Sequence, residues 1–161
     1  MDKQPFEELV RRHGATVYRV CRALVGPGDA DDAWSETYLS ALKAYPELPP
    51  DANHEAWLVR IAHHRAIDAI RARARRPVPA GHLPDRADAD HREAGDSQEL
   101  WAAVAALPTR QRQAVAYHYL GRRPYAEVAE LIGGTAAAAR RASADGIARL
   151  RQQFGADVKR G

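Results

Sequence analysis

Cysteine is nearly absent from this chain, because Cys21 is the only one among 161 residues. An intrachain disulfide is therefore excluded, and so is a zinc site built on cysteine pairs. No apolar run approaches the roughly 20 residues that a membrane-spanning helix needs. The N-terminus reads MDKQPFEELV and carries acids where a secretory signal is basic and then apolar. We therefore expect a cytoplasmic protein that does not insert into a membrane.

Motifs of common enzyme classes are missing as well. The seven histidines include no His-Glu-x-x-His pair. The adjacent His63 and His64 diverge by about 100° on a helix, so they are poorly placed to share a metal. The short glycine-containing stretch at Gly26–Asp29 has the composition of a turn and lacks the features of a phosphate-binding loop. We expect no enzymatic activity, no catalytic residue, no metal and no cofactor.

The residues that are abundant favour helices. Alanine and arginine are heavily used, and runs of β-branched residues are scarce. Hydrophobic residues make up 45% of the chain, which is enough for a folded core and argues against global disorder. The formal net charge is only +3, which does not by itself indicate a polyanionic partner. The positions of the charges are more informative about a partner than their sum.

The helical spacing falls into two groups. Residues 1–76 predict three helices, the first with Cys21 on its apolar stripe and the second capped by Asp29. Apolar residues recur along that second helix at Trp34, Tyr38, Leu42 and Tyr45. Residues 77–97 carry three prolines and five acids against two arginines, which predicts a linker. Residues 98–161 predict four helices. The expected fold is all-α, with two small helical domains joined by a flexible acidic linker.

The segment Pro124–Leu150 has the layout of a helix-turn-helix. A short helix meets a two-glycine turn, and Thr135 can cap the longer helix that follows. The small Ala129 would let the two helices cross closely. Four arginines lie where such a motif meets DNA, at Arg122, Arg123, Arg140 and Arg141. On this layout alone, an ordinary helical hairpin with solvated arginines is an open alternative.

A second basic feature is the stretch WLVRIAHHRAIDAIRARARR at Trp57–Arg76. It holds six arginines and one aspartate on one predicted helix. An isolated run of charged residues usually forms a helix face that is exposed to solvent. This one adjoins a tryptophan and two histidines, and aromatic groups beside basic ones suit an unpaired nucleic-acid strand.

In three blocks the sequence resembles the extracytoplasmic-function (ECF) group of bacterial RNA polymerase sigma factors. DADDAWSETYLSALKAY at Asp29–Tyr45 is similar to the acidic region-two helix of that group. The arginine-rich block at Trp57–Arg76 resembles the W-L-x-x-I-A-x-N-x-A-I-D pattern that follows it. LPTRQRQAVAYHYLGRRPYAEVAELIG at Leu107–Gly133 resembles region four. Together with the connecting helices, the resemblance covers nearly the whole chain outside the linker.

The resemblance implies a sigma factor that binds core RNA polymerase and directs promoter recognition and transcription initiation. Residues 1–76 would form region two, which docks on the polymerase and recognises the minus-ten element. Residues 77–97 would be the linker, and residues 98–161 the region-four helix-turn-helix. The implied partners are the β′ clamp helices and the β flap of the polymerase, and promoter DNA. An anti-sigma factor is a further partner that the family allows.

Site residues follow from the resemblance position by position. The polymerase-binding candidates are Asp31, Asp32, Ser35, Glu36 and Leu39. The minus-ten candidates, in the loop at Pro46–Glu55 and the helix after it, are Asn53, His54, Trp57, Arg60, His64, Arg71 and Arg73. The minus-thirty-five candidates are Arg122, Arg123, Tyr125, Thr135, Arg140 and Arg141. Tyr117, His118 and Tyr119 are interpreted as packing and surface residues.

The longer, second helix of the helix-turn-helix would read the DNA bases, and we call it the reading helix. It departs from the family pattern. Ala142 and Asp145 stand where the family typically has arginines, and Gly146 costs about 1 kcal/mol inside a helix relative to alanine. His64 stands where the family commonly has asparagine. We predict a weak affinity for the minus-thirty-five element, carried mostly by Arg140 and Arg141.

Two other functional hypotheses stay open. A helix-turn-helix regulator that binds duplex DNA without polymerase would need a strong reading helix, and here the N-terminal blocks follow the family pattern more closely. A sigma-like protein that binds polymerase or a regulator but has lost or modified promoter use fits the unusual final helix. Co-purification with core polymerase separates the first reading from a sigma factor, and promoter-dependent transcription separates the second.

Overall fold

The computed structural model of the chain describes residues 3–75 and 98–160, with side chains up to Phe154. Within these residues the structure consists of α1 Phe6–Val25, α2 Pro27–Ala44, α3 His54–Arg75, α4 Gln98–Ala105, α5 Thr109–Val115, α6 Tyr125–Ile132 and α7 Ala136–Arg160. A 3₁₀ turn at Tyr45–Glu47 follows α2, and a π-helical turn at Ala116–Leu120 continues α5. The predicted all-α fold is confirmed. The predicted linker at 77–97 lies outside the described residues.

The break between α1 and α2 depends on Gly26. Its φ of +83° lies in a region that side chains disfavour, and its N–H bonds to the carbonyl of Arg22 at the end of α1. Pro27 then begins α2 with a φ already suited to a helix. Asp29 was predicted to cap α2, and this was wrong: it lies in the first turn, where its charge complements the helix dipole.

The three N-terminal helices enclose a core of their own. Its buried members are Val17, Cys21, Ala33, Tyr38, Ala41, Leu58 and Ala62. Burial raises the pKa of the Cys21 thiol to about 12, so the thiolate form is scarce at neutral pH. The interpretation of Cys21 as a small buried hydrophobe is confirmed.

Leu42 corrects the predicted apolar stripe of α2. Its side chain is 52% exposed, whereas Tyr38 and Tyr45 are buried. At about 100° per residue, Tyr38 and Tyr45 lie within 40° of Trp34 around the helix, and Leu42 lies about 80° away. Leu42 therefore falls outside the buried arc and joins the solvent-facing side.

In the C-terminal half, α7 packs on both α5 and α6. Ala139 and Ser143 are fully buried on α7, and Gly146 continues the same face one turn later. A Cβ added at Gly146 would lie 2.9 Å from Cγ2 of Val115 and 3.4 Å from Cβ of Gln111. The glycine that looked costly in the sequence therefore permits a close crossing of α7 over α5.

The two halves also share a core. From the N-terminal half it includes Val20, Ala23, Leu24, Val59 and Ala66, and from the C-terminal half Val104, Ala114, Ala116, Tyr117, Val128 and Ala139. α1 packs against α4, α5 and the π-helical turn, in addition to its own neighbours α2 and α3. No sequence pattern predicted that the halves would contact each other so extensively.

Candidate nucleic-acid and partner interfaces

The first candidate surface lies on α2 and comprises Asp32, Ser35, Glu36, Leu39 and Leu42, which we call the α2 face. All five side chains are exposed, with Leu39 at 53% and Leu42 at 52%. Their spacing of three or four residues places them on one side of the helix. Asp31 was predicted with this group but is half-buried. Leu42 was not predicted, although its position three residues after Leu39 could have indicated it.

The candidates in the loop before α3 are engaged in local structure. Asn53 Oδ1 accepts a hydrogen bond from the N–H of Ala56 at 3.0 Å, so Asn53 caps the helix. His54 and Trp57 are half-buried, and each ring centroid lies 6.1 Å from that of Tyr45. Asn53 is exposed, whereas His54 and Trp57 pack at tilted angles beside the buried Tyr45.

Further along α3 the basic candidates line the exposed side. Arg60, His64 and Arg71 are exposed. Arg73 Nη1 pairs with Asp29 Oδ2 at 2.8 Å, so it is already partly neutralised. Arg60 Nη2 lies 4.0 Å from Oε1 of Glu130, which belongs to the C-terminal half.

The helix-turn-helix forms at the predicted place. Thr135 Oγ1 accepts a hydrogen bond from the N–H of Ala138 at 3.0 Å, which confirms its role as the cap of α7. Gly133 and Gly134 adopt φ values of +87° and +89°, as the turn requires. The guanidinium of Arg110 donates to the carbonyls of Ile132 and Gly133 at 3.0 and 3.1 Å and braces the end of α6.

Tyr125 contacts Arg140 of the reading helix and His118 of the π-helical turn. The guanidinium carbon of Arg140 lies 4.7 Å from the Tyr125 ring centroid. His118 stacks on the same ring with centroids 3.8 Å apart and planes 15° from parallel. Arg140 and Arg141 are both exposed. His118 was expected to be a packing residue, and here it helps to orient the tyrosine under Arg140.

Arg122 and Arg123, which precede α6, contact the N-terminal half. Arg123 Nη2 lies 3.2 Å from Oε1 of Glu55, and Arg122 Nη2 bonds to Oε2 of the same carboxylate. Arg123 also donates to Glu127 Oε2 at 3.0 Å and to the Gly121 carbonyl at 3.1 Å. Arg123 is 8% exposed, so in this arrangement it is buried away from any phosphate.

Glu55 is the centre of this cluster. Burial pushes the pKa of its carboxyl up, but the hydrogen bond and charge of Arg122 and the charges of Arg123 and His13 outweigh it and hold the pKa below its ordinary value. His13 Nδ1 lies 3.6 Å from Oε2 of Glu55. The pKa of His13 is lowered because burial outweighs the attraction of Glu55. Glu55 is therefore an ionised carboxylate between two arginines at neutral pH.

A second polar contact joins the halves at His63. Its Nδ1 hydrogen-bonds with the hydroxyl of Tyr117, and the ring also bonds to the backbone of Leu131. His63 is 5% exposed and Tyr117 is fully buried. Burial, together with the neighbouring His64, lowers the pKa of His63 to about 4. Sequence reasoning missed this pair, because nothing in the spacing relates residues 54 positions apart.

Two negative observations concern the described residues only. Across 3–75 and 98–160, no group of three or more His, Cys, Asp or Glu side chains is arranged to hold a metal ion. Over the same ranges, no helix combines the length and the apolar character needed to span a bilayer.

Comparison with known proteins assigns both halves of the chain. Family models of sigma-70 region 2 and of sigma-70 region 4 match residues 9–76 and 97–150. The ECF RNA polymerase sigma factor SigC of Mycobacterium tuberculosis is 32% identical over 131 residues, which cover 79% of this chain and 71% of SigC. The RNA polymerase sigma factor CarQ of Myxococcus xanthus is 28% identical over 160 residues, which cover 93% of this chain and 89% of CarQ.

Two solved structures share the fold. The sigma factor RpoE from Bartonella quintana, in complex with the anti-sigma factor NepR, matches with a TM-score of 0.74 at 17% identity and covers 94% of this chain and 98% of that one. CnrH, in complex with the cytosolic domain of CnrY, matches with a TM-score of 0.61 at 23% identity and covers 94% and 88%. At these identities the likeness concerns the arrangement of helices.

Proposed function

This chain belongs to the ECF group of RNA polymerase sigma factors, and from that premise we propose that the α2 face is the surface by which it binds core RNA polymerase. The observation that carries the proposal is the composition of that face. Two acids and two leucines stand exposed together on a helix whose opposite side is packed against α1 and α3. Acids steer a basic partner into place, and exposed leucines supply the contact that becomes buried.

We further propose the division of roles on DNA. Residues 1–76 act as region two, residues 77–97 as the linker and residues 98–161 as region four. In region two, Asn53, His54, Trp57, Arg60, His64, Arg71 and Arg73 would contact the minus-ten element. In region four, Arg122, Arg123, Tyr125, Thr135, Arg140 and Arg141 would contact the minus-thirty-five element. The exposed Arg140 over Tyr125 supports a weak, arginine-based contact by the reading helix.

Since the members of this family are initiation factors, we propose that the chain has no catalytic activity of its own and acts in the cytoplasm beside the polymerase. An anti-sigma factor stays an expected further partner.

The test of polymerase binding uses a matched pair of leucines. Leu39→Arg places a positive charge within the α2 face, and Leu100→Arg makes the same change at a 41% exposed leucine on α4. We expect Leu39→Arg to weaken binding of the purified chain to core polymerase by roughly tenfold or more, as loss of an interface anchor does. We expect Leu100→Arg to bind like the parent chain.

Run-off transcription from a random promoter library completes the test. The parent chain with core polymerase should select a promoter, and Leu39→Arg should lower the yield of transcript at limiting concentration. Equal binding by the two arginine variants would reject the α2 face as the docking surface. Tight binding to core polymerase without any selected promoter would favour a sigma-like protein that has lost promoter use.

A further inference from the structure

We propose that His118 is a positioning residue for base recognition, and that the stack of His118, Tyr125 and Arg140 presents the Arg140 guanidinium to a guanine in the major groove of duplex DNA. This inference rests on the proposed function and deepens it, because it takes Arg140 as a minus-thirty-five residue. It adds the base that Arg140 recognises and the residue, outside the helix-turn-helix, that prepares it.

The first turns of the reading helix offer a base few hydrogen-bond donors. The four residues at 136–139 are alanines, whose methyl groups donate no hydrogen bond. Arg140 and Arg141 come next, and both are exposed. The first half of such a helix is the part that meets base edges in the major groove. Recognition of a base by hydrogen bonds at this point therefore depends on these two arginines.

The two arginines differ in their surroundings. The guanidinium carbon of Arg140 lies 4.7 Å from the centroid of the Tyr125 ring, which is a cation–π distance. Arg141 makes no such contact within the residues whose side chains the structure describes. A cation–π contact holds a guanidinium without using an acceptor atom, so N–H donors stay available for hydrogen bonds. Arg140 is thus restrained before DNA binds, and Arg141 lacks this restraint.

Tyr125 is in turn held by His118. Their ring centroids are 3.8 Å apart and the planes are 15° from parallel, so the imidazole covers one face of the tyrosine ring and leaves the opposite face for a cation. His118 Nδ1 lies 2.9 Å from the carbonyl oxygen of Arg123, and since a carbonyl only accepts, Nδ1 donates this bond. The ring on which Arg140 rests is therefore anchored to the backbone that precedes α6.

A restrained guanidinium favours guanine over a phosphate. Guanine presents the acceptors O6 and N7 side by side in the major groove, and the planar fork of an arginine donates to both at once. A mobile arginine reaches a phosphate as readily as a base, and phosphate contacts carry no sequence information. Restraint also lowers the entropy that the side chain loses on binding. The stack therefore makes Arg140 a base-reading residue and leaves Arg141 for the phosphate backbone.

The experiment compares base selection by variants of the full chain. Each variant selects from a library of random duplex DNA, once with core polymerase and once alone at low salt. Affinity for the selected duplex is measured by anisotropy at several salt concentrations, and again with each guanine replaced by adenine. The variants are His118→Ala, His118→Phe, Arg140→Ala, Arg141→Ala and the matched control Gln113→Ala, at a half-buried residue of α5. Circular dichroism checks that each variant keeps its helices.

We expect one guanine of the selected sequence to lose its preference in Arg140→Ala. His118→Ala should lower the preference for guanine over adenine at that position by roughly fivefold, the effect of losing a restraint of cation–π strength, and should leave the other positions unchanged. His118→Phe keeps a ring against Tyr125 and should stay within about twofold of the parent chain. Arg141→Ala should weaken binding to all sequences alike and reduce its dependence on salt. Gln113→Ala should resemble the parent chain.

Three results would overturn the inference. The first is an unchanged guanine preference in His118→Ala. The second is a loss of preference that His118→Phe does not restore or that Gln113→Ala shares, because the stack would then not be its cause. The third is an Arg140→Ala variant that weakens binding to all sequences alike, as loss of a phosphate contact does.

Binding of the parent chain to core polymerase is measured in parallel. If the chain alone selects a duplex whose guanine depends on Arg140 and His118 but does not bind core polymerase, the proposed function fails and this inference stands. If the polymerase-bound chain selects a promoter in which no guanine depends on His118, the proposed function stands and this inference fails. A library from which neither condition selects any sequence overturns this inference as well.

Discussion

The α2 face and the first turns of α3 belong to the same half of the chain, yet they differ in what they contact. Leu39 and Leu42 on the α2 face are more than half exposed, whereas on α3 the Glu55 side chain is only 11% exposed and His63 is buried, and both contact the C-terminal half. The surface proposed for the polymerase is therefore available in the free chain, whereas Arg122 and Arg123 of the proposed minus-thirty-five surface are engaged by Glu55. This difference favours an order of events in which the polymerase binds first and DNA binds after the halves separate.

The difference has a chemical origin. The α2 face combines exposed acids with exposed leucines. On α3, Glu55 meets two arginines whose positions are set by the turn before α6. One of them, Arg122, adopts a φ of +59°, which is uncommon for a residue with a side chain. The turn thus holds the guanidinium groups where the carboxylate of Glu55 can reach both.

The largest effect we expect is that the two halves separate in acid, so that their packed, or closed, arrangement is lost. In the closed arrangement the pKa of His63 is about 4 because of burial, and in an open chain it returns toward its ordinary 6.5. Between these two values the open chain binds a proton that the closed chain does not. The stabilisation of closure is therefore complete above pH 6.5 and is lost as the pH falls toward 4, by about 3 kcal/mol in total. The distance between spin labels on cysteines introduced at the exposed Lys43 and Arg149, one in each half, should lengthen as the pH falls from 7 to 4.

His63→Phe provides the control for this prediction. Phenylalanine fills the site without titrating, so the variant should show a much smaller dependence of the distance on pH. Some dependence should remain, because burial also lowers the pKa of His13 beside Glu55. A variant that opens in acid as readily as the parent chain would show that His63 does not control closure.

The local features of the fold could be predicted from the sequence. The helical periods predicted the helices, and the glycine pair followed by Thr135 predicted the turn and cap before α7. The apolar stripe placed Cys21 in the core. Each of these depends on residues that are close in the chain, so that spacing and side-chain type are sufficient to indicate them.

The features that sequence reasoning missed are those set by distant residues. His63 meets Tyr117 and Glu55 meets Arg123 only because the halves pack together, and no spacing rule connects such pairs. Leu42 was counted with the apolar residues that recur along α2, but intervals of four residues drift around a helix that has 3.6 residues per turn. The candidate residues were named from the family pattern, and that pattern carries no information about contacts between the halves in the free chain.

A smaller effect is expected from Gly146→Ala, which tests packing inside the C-terminal half. The added methyl group would meet Val115 at 2.9 Å, and the overpacking should cost more than the gain in helix propensity, a net loss of about 1 kcal/mol. Gly28→Ala is the matched control, because a Cβ at this helical glycine has nothing within 4 Å. Urea denaturation should show Gly146→Ala destabilised and Gly28→Ala unchanged or slightly stabilised. A stabilised Gly146→Ala would mean that α7 and α5 are not in close contact.

The smallest effect should come from the ion pair between Arg60 and Glu130. It also joins the halves, but its groups are 4.0 Å apart and their side chains are 62% and 69% exposed. Exposed pairs of this kind contribute about 0–1 kcal/mol, so Glu130→Gln should change the population of chains with separated halves less than about fivefold. Glu55→Gln, which removes a charge that is 11% exposed, should change it far more. If both variants separated the halves equally, the packing of the halves would depend on the total charge across the interface and not on the position of Glu55 between two arginines.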